Sequence, residues 1–205
     1  METIFVNSER CIGCRQCEFA CAVEHSKSKN AAQAVFEVPL PKPRIHVEAG
    51  PVMGTSFPNR CRHCDPAPCA RVCPTGAMHR DDARGVVLVA SDKCIACAMC
   101  AMVCPFDVVT FHPVDSGFGA RVVATKCDGC TERVEDGREP ACVEACKVSA
   151  LVYGELNELS KAGRIRQSVA VLAATKQMNG SELPSTVAGW RSFGEAVTKI
   201  SEDVS

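Results

Sequence analysis

Short apolar runs separated by turn residues dominate the middle of the chain. The run "VVLVA" follows the segment "DDARG", and "DVVTFH" and "ARVVATK" flank the glycine-containing segment "VDSGFG". β-Branched runs bounded by Asp and Gly are typical of strands that are joined by turns. The pattern therefore predicts short strands here, with a β-hairpin formed by the last pair.

The two ends of the chain show longer patterns. Residues 22–34 predict a helix, and the proline-rich residues 38–51 predict an extended connection that leads into a strand. Residues 154–178 have helical periodicity, although Gly163 weakens the middle of this helix.

A last helix is predicted after Ser185, which is a suitable N-cap residue. Its apolar residues recur at steps of three and four and share one face. They are Val187, Trp190, Phe193, Val197 and Ile200. Two interpretations stay open, since this face can pack on the protein itself or can dock a partner through its aromatic residues.

Composition adds one unusual feature, which is the cysteine content. The 205 residues include 16 cysteines, while 23 basic and 24 acidic residues give a net charge of −1. This balance does not favour nucleic-acid binding. The first residues show neither a secretory signal nor twin arginines, and no apolar stretch approaches the roughly 20 residues of a membrane span. We therefore expect a soluble cytoplasmic protein whose cysteines bind metal.

The cysteines fall into four groups, each of which begins with C-x2-C and ends with C-x3-C. Group one is Cys11, Cys14, Cys17 and Cys21; group two is Cys61, Cys64, Cys69 and Cys73; group three is Cys94, Cys97, Cys100 and Cys104; group four is Cys127, Cys130, Cys142 and Cys146. Zinc sites use two C-x2-C pairs that are a dozen or more residues apart, which only group four resembles. The C-x2-C-x2-C-x3-C spacing of groups one and three is instead the pattern of two-cluster ferredoxins.

In that pattern the fourth cysteine of a group ligates the cluster of another group. Groups two and three are joined by a ferredoxin-like hairpin segment and are paired here, which leaves group one to pair with group four. Four expected ligand sets follow. Set a is Cys11, Cys14, Cys17 and Cys146; set b is Cys21, Cys127, Cys130 and Cys142; set c is Cys61, Cys64, Cys69 and Cys104; set d is Cys73, Cys94, Cys97 and Cys100.

A basic residue precedes the first cysteine of every group. These residues are Arg10, Arg60, Lys93 and Lys126. A cluster with four thiolate ligands carries net negative charge, so a nearby cation would stabilise it and tune its potential. Ordinary surface charge is the alternative interpretation.

The motifs "CIGCRQCEFAC", "CRHCDPAPCARVCPTGA", "CIACAMCAMVCPF" and "KCDGC…PACVEAC" resemble the iron–sulfur subunit family of DMSO reductase over about residues 3–156. The resemblance implies two fused ferredoxin-like units and four [4Fe–4S] clusters in a row, which relay electrons between a catalytic subunit and another partner. Every ligand position of this sequence is cysteine, so we expect four four-iron clusters.

The expected fold class is α+β, with the second ferredoxin-like unit inserted in the first. Residues 1–50 and 120–156 form the outer unit, residues 51–119 the inserted unit, and residues 157–205 a helical tail.

Within the family, residues 23–50 are most similar to the iron–sulfur protein that accompanies carbon monoxide dehydrogenase. That enzyme is the expected donor and a hydrogenase the expected acceptor, with the chain cytoplasmic or peripheral to a membrane-bound complex. A complex of the formate dehydrogenase or formate hydrogenlyase type is the alternative.

No arrangement of a nucleophile and a base is visible around the histidines, which are His25, His46, His63, His79 and His112. His63 lies between two ligands in "CRHC", where a hydrogen bond near the metal or loop packing is expected. We therefore expect a non-catalytic electron-transfer subunit. An enzyme that uses one cluster and a module that metal only stabilises are the alternatives.

Overall fold

The computed structural model describes residues 2–50, 54–115, 120–174, 188–190 and 192–193. The chain divides into two compact units, Met1–Tyr153 and Gly154–Ser205. Among the described residues, no helix has both the length and the apolar character needed to cross a membrane.

The strands form four separate two-stranded ladders. The pairs are β1 (Glu2–Val6) with β8 (Leu151–Glu155), β2 (Ile45–Ala49) with β3 (Ser56–Arg60), β4 (Met78–Asp81) with β5 (Val86–Val89), and β6 (Thr110–Asp115) with β7 (Ala120–Thr125). The last three pairs are antiparallel. The predicted strand at "VVLVA" and the predicted hairpin over residues 110–125 are therefore confirmed. Strand β2 lies within residues 38–51, for which an extended connection into a strand was predicted.

The helices of the first unit are short and follow the cysteine groups. They are α1 (Gln16–Glu24), α2 (Ala31–Ala34), α3 (Pro68–Arg71), α4 (Met99–Met102), α5 (Thr131–Glu135) and α6 (Ala141–Glu144). Each of α1, α3, α4 and α6 contains at least one cysteine, so that cysteine-bearing helices lie between the strand pairs in a mixed α and β fold.

The helix predicted for residues 22–34 is wrong as a continuous element, because α1 ends at Glu24 and α2 begins only at Ala31. Polar side chains satisfy the backbone between them. The Glu37 carboxylate accepts hydrogen bonds from the N–H groups of Lys27 and Ser28, at 3.0 and 2.8 Å. Asn30 then caps α2 by accepting from the N–H of Ala32 at 2.9 Å.

Three apolar clusters pack the ladders onto the cysteine-bearing segments. The first contains Ile4, Cys17, Cys21, Ile45, Val47, Cys142, Val143 and Leu151; the second contains Ala67, Ala77, Met78, Val87, Cys94, Cys100, Val123 and Ala124; the third contains Cys61, Val108 and Cys127. Cysteine sulfurs thus form a large part of the core in the first unit. A metal group bound between these sulfurs is expected to contribute to the stability of the fold.

The second unit contains the predicted long helix, α7 (Leu156–Ala174), which continues through Gly163. Of the residues assigned to the last amphipathic helix, Ser185, Val187, Val197 and Ile200 lie outside the described residues. Trp190 and Phe193 are described and are 71% and 65% exposed.

Candidate metal centres

The structure brings together the cysteines of each expected set, although they come from two separate groups in the sequence. The cysteines of set a line one cavity, those of set c a second and those of set d a third. In set b, Cys142 lies beside Cys21, Cys127 and Cys130. Burial and then the charges of these three sulfurs raise the pKa of the Cys142 thiol well above its usual value. That each set ligates one cluster stays a prediction.

The loop after the first cysteine of each group has the same backbone turn. The second residue after that cysteine has a positive φ in all four groups: +70° at Gly13, +50° at His63, +54° at Ala96 and +76° at Gly129. This conformation costs roughly 1–2 kcal/mol for residues other than glycine. The turn directs backbone N–H groups at sulfur, since His63 and Gly129 donate to Cys61 Sγ and Cys127 Sγ at 3.4 Å.

In groups one, two and four the last cysteine also accepts a backbone hydrogen bond. The N–H of Met78 lies 3.3 Å from Cys73 Sγ, and the N–H of Leu151 lies 3.4 Å from Cys146 Sγ, each five residues along the chain. The N–H of Arg44 donates to Cys21 Sγ at 3.3 Å. Such bonds favour a thiolate over a thiol, as a metal ligand requires.

Burial acts in the opposite direction on the innermost sulfurs. It raises the pKa of Cys17 to about 11 and that of Cys130 to about 12, with smaller effects of neighbouring charges. None of the sixteen cysteines forms a disulfide. Without a cation between them these buried sulfurs would be neutral, so the donor sets fit a bound metal that stabilises the thiolates.

Three buried side-chain nitrogens in the described part of the chain lack a hydrogen-bond partner. One is His46 Nε2, and the other two are donors that also fit such a group. The Nδ1 atom of His63 accepts a hydrogen bond from the N–H of Val87 at 3.0 Å, which leaves the proton on Nε2. This buried Nε2–H has no hydrogen-bond acceptor, and neither has Nε of Arg60. Burial, and then Lys126 and Arg60, lower the pKa of His63 to about 3, so the ring is neutral. Sulfides and thiolates are the acceptors that a bound cluster would offer to these donors.

A polar network beside set b was not foreseen from the sequence. His25 Nε2 lies 3.2 Å from the Asp128 carboxylate, and Arg44 Nη1 lies 2.5 Å from the same carboxylate. Burial alone would raise the pKa of Asp128, but the His25 hydrogen bond and the Arg44 charge hold it well below its usual range. The three residues are far apart in sequence, and only the position of Asp128 inside "KCDGC" hinted at a role.

The four sets follow one another in space in the order a, b, c, d. The first apolar cluster contains cysteines of sets a and b, the third contains Cys61 of set c and Cys127 of set b, and the second joins sets c and d. Exposure distinguishes the two ends, because Cys14 of set a and Cys97 of set d are the exposed cysteines. All four cysteines of set b are buried, and set c has one buried and three half-buried cysteines.

Apolar side chains surround the two exposed cysteines. Ile12 is 67% exposed beside Cys14, and Ile95 is 59% exposed beside Cys97. The first unit therefore has two accessible end sets that are separated by two sheltered inner sets.

Comparison with known proteins agrees with this geometry. Residues 52–156 match the family model of the 4Fe-4S dicluster domain. The electron transport protein HydN of Escherichia coli K12 is 42% identical over 167 residues, which cover 77% of this chain and 90% of HydN. An iron-sulfur protein of Rhodospirillum rubrum is 41% identical over 161 residues, covering 75% of this chain and 82% of that protein. The B subunit of the anaerobic dimethyl sulfoxide reductase of E. coli K12 is 36% identical over 170 residues, covering 77% of this chain and 75% of that subunit.

Proposed function

Because the chain belongs to the 4Fe-4S dicluster family of electron-transfer iron–sulfur proteins, we propose that it is a non-catalytic subunit that relays electrons through four [4Fe–4S] clusters. When bound, the clusters supply one-electron redox chemistry. The proposed ligands are sets a to d as defined above, with the last cysteine of each group exchanged between groups.

The observation that carries this proposal is the order of the cysteine sets. Sets a to d are linked one to the next by shared packing, and the exposed cysteines belong to the two ends. A shuttle that meets one partner at a time needs one accessible centre. Two accessible ends with a sheltered middle suit a subunit that connects two docking partners.

The residues of this chain have distinct tasks in such a relay. The sixteen cysteines hold the clusters, the N–H groups of the left-handed turns stabilise their sulfurs, and the apolar residues of the three cores exclude water from the inner sets. We also propose that residues 1–156 form two ferredoxin-like units, with residues 51–119 inserted between residues 1–50 and 120–156.

As partners, we propose carbon monoxide dehydrogenase as the donor and a hydrogenase as the acceptor. Support comes from the resemblance of residues 23–50 to the iron–sulfur protein that accompanies this enzyme. Formate dehydrogenase is the alternative donor, since the wider family serves several oxidoreductases and a subunit of dimethyl sulfoxide reductase is among the relatives.

Reconstitution tests the function and the donor together. The purified anaerobic protein is mixed with carbon monoxide dehydrogenase and carbon monoxide, or with formate dehydrogenase and formate, and bleaching of the visible cluster absorbance is followed. We expect rapid bleaching with carbon monoxide and slow bleaching with formate. Rapid bleaching with formate but not with carbon monoxide would mean that formate dehydrogenase is the donor, and the proposed relay would stand. Turnover of either substrate by the isolated chain would contradict a non-catalytic role.

A further inference from the structure

The four basic residues that precede the cysteine groups have equivalent positions in the sequence but not in the structure. Arg10 and Lys93 are exposed, and they precede the first cysteines of groups one and three, which belong to sets a and d. Arg60 and Lys126 are each only 3% exposed, and they precede the first cysteines of groups two and four, which belong to sets c and b. Water screens a charge at the surface, but a buried charge acts strongly on its neighbours.

The two buried cations contact backbone carbonyl groups. Arg60 donates to the carbonyl of Cys61 at 2.8 Å and to that of Ile4. Lys126 donates to the carbonyl of Cys127 at 2.9 Å and to that of Val87. Each cation therefore ties the loop of its own cysteine group to a strand, Arg60 to β1 and Lys126 to β5.

Neither cation forms an ion pair with a carboxylate in the part of the chain that the structure describes. A buried charge without a counter-charge is costly, and carbonyl dipoles compensate it only in part. The missing negative charge must come from something beside these cations. The neighbouring cysteine sets are the groups that would supply it when they hold a cluster.

Each cation lies near the set that its own sequence neighbour does not belong to. Lys126 precedes Cys127 of set b, but it lines the cavity of set c. Arg60 precedes Cys61 of set c, but it donates to the carbonyl of Ile4. Ile4 packs in the first apolar cluster with Cys21 and Cys142 of set b.

We propose that Arg60 and Lys126 raise the reduction potentials of the two inner clusters, Arg60 acting chiefly on set b and Lys126 chiefly on set c. This inference rests on the proposed four-cluster relay. Burial alone would make the inner clusters the hardest to reduce, because added negative charge is poorly solvated there. The buried cations offset this cost, so that the reduction potentials of the two inner clusters stay close to those of the two end clusters. At the end clusters, water already stabilises the added negative charge.

The test is a redox titration of the intact protein, monitored by electron paramagnetic resonance. The signals of the inner clusters are first assigned with the variants Cys142→Ser for set b and Cys69→Ser for set c. Lys126→Gln keeps hydrogen-bond donors for the carbonyl groups but removes the charge. We expect it to shift the reduction equilibrium of the set c cluster about tenfold toward the oxidised form, which is about 59 mV for a one-electron couple.

Matched variants separate charge from structure. Lys126→Arg keeps the charge and is expected to stay within threefold of the wild type, which is about 28 mV. Lys93→Gln removes the exposed charge at the equivalent sequence position and is also expected to stay within threefold. Arg60→Gln is expected to shift the set b signal more than the set c signal, which is the reverse of Lys126→Gln.

A shift of less than threefold in Lys126→Gln, or an equal shift in Lys126→Arg, would overturn the proposal. If the glutamine variant loses the set c cluster, the arginine variant decides the matter. If Lys126→Arg retains the set c cluster at a near-native potential, this position needs a positive charge, which supports the proposal. If Lys126→Arg also loses the cluster, this position needs the shape of lysine, which overturns the proposal. Wild-type protein without four reducible clusters would instead refute the relay itself.

Discussion

Arg60 and Lys126 illustrate how a residue of this protein serves partners that are remote in its sequence. Each stands next to a cysteine of one set and lies against the surroundings of another. Lys126 lines the cavity of set c, and Arg60 donates to Ile4, which packs with Cys21 and Cys142 of set b. Cys21 behaves in the same way, because it lies in group one but packs with Cys142 of group four. At the scale of single residues, the function of a side chain is thus set by tertiary contacts across the paired groups.

Substitution of Cys21 tests the crossed ligation. Cys21→Ser is expected to alter the same paramagnetic signal as Cys142→Ser, because serine oxygen is a poor replacement for a thiolate at iron. The signal that Cys17→Ser alters should persist in the Cys21→Ser protein. Anaerobic iron analysis together with paramagnetic resonance of the reduced variants provides the measurement. A common signal altered by Cys21→Ser and Cys11→Ser would show that group one holds a single cluster alone.

At the scale of elements, a buried arginine connects the helices around set b. Arg133 in α5 is 7% exposed, and its Nη1 lies 2.7 Å from the carboxylate of Glu24 at the end of α1. It also pairs with Glu144 in α6 and donates from Nε to the carbonyl of Glu139 at 2.5 Å. These three short helices have few residues of their own, so their mutual position depends on such contacts.

We expect Arg133→Met to destabilise the protein by about 2–3 kcal/mol, because it leaves the largely buried carboxylate of Glu24 without its arginine partner. Loss of visible absorbance in guanidinium chloride should become at least tenfold faster under anaerobic conditions. The control is Lys29→Ala, which removes an exposed partner of the same Glu24 and should leave the rate unchanged. Equal rates for wild type and Arg133→Met would show that the helices are held by the cysteine sets alone.

Elements that depend on local pattern were predictable from the sequence. The hairpin of β6 and β7 and the long helix α7 follow from alternation and periodicity. The break between α1 and α2 was not predictable, because it depends on the Glu37 carboxylate, which meets the chain about ten residues away. Strand β3 was also missed, since Pro58 weakens its strand pattern and its pairing with β2 supplies the stability.

At the scale of the whole molecule, spacing predicted that the last cysteine of a group would leave its own group, because a fourth cysteine after an x3 gap cannot easily join the same site as the first three. The pairing of the groups came instead from the hairpin segment between groups two and three and from elimination, and ligation of one cluster by each set stays a prediction. Spacing could not predict that two of the four preceding cations are buried and two are exposed, since all four have the same local sequence context. Nor could it predict the network of His25, Arg44 and Asp128, which is assembled by packing alone.

A relay of four [4Fe–4S] clusters requires a fixed content of iron and sulfide, so quantitative analysis of the fully loaded anaerobic protein is the decisive experiment. Iron and acid-labile sulfide are measured per chain, and the spins of the dithionite-reduced protein are integrated by paramagnetic resonance. We predict about sixteen irons and sixteen sulfides per chain, with four clusters that each accept one electron. A stoichiometry of two clusters in fully loaded protein, or a tightly bound zinc in place of iron in any set, would refute the four-cluster relay.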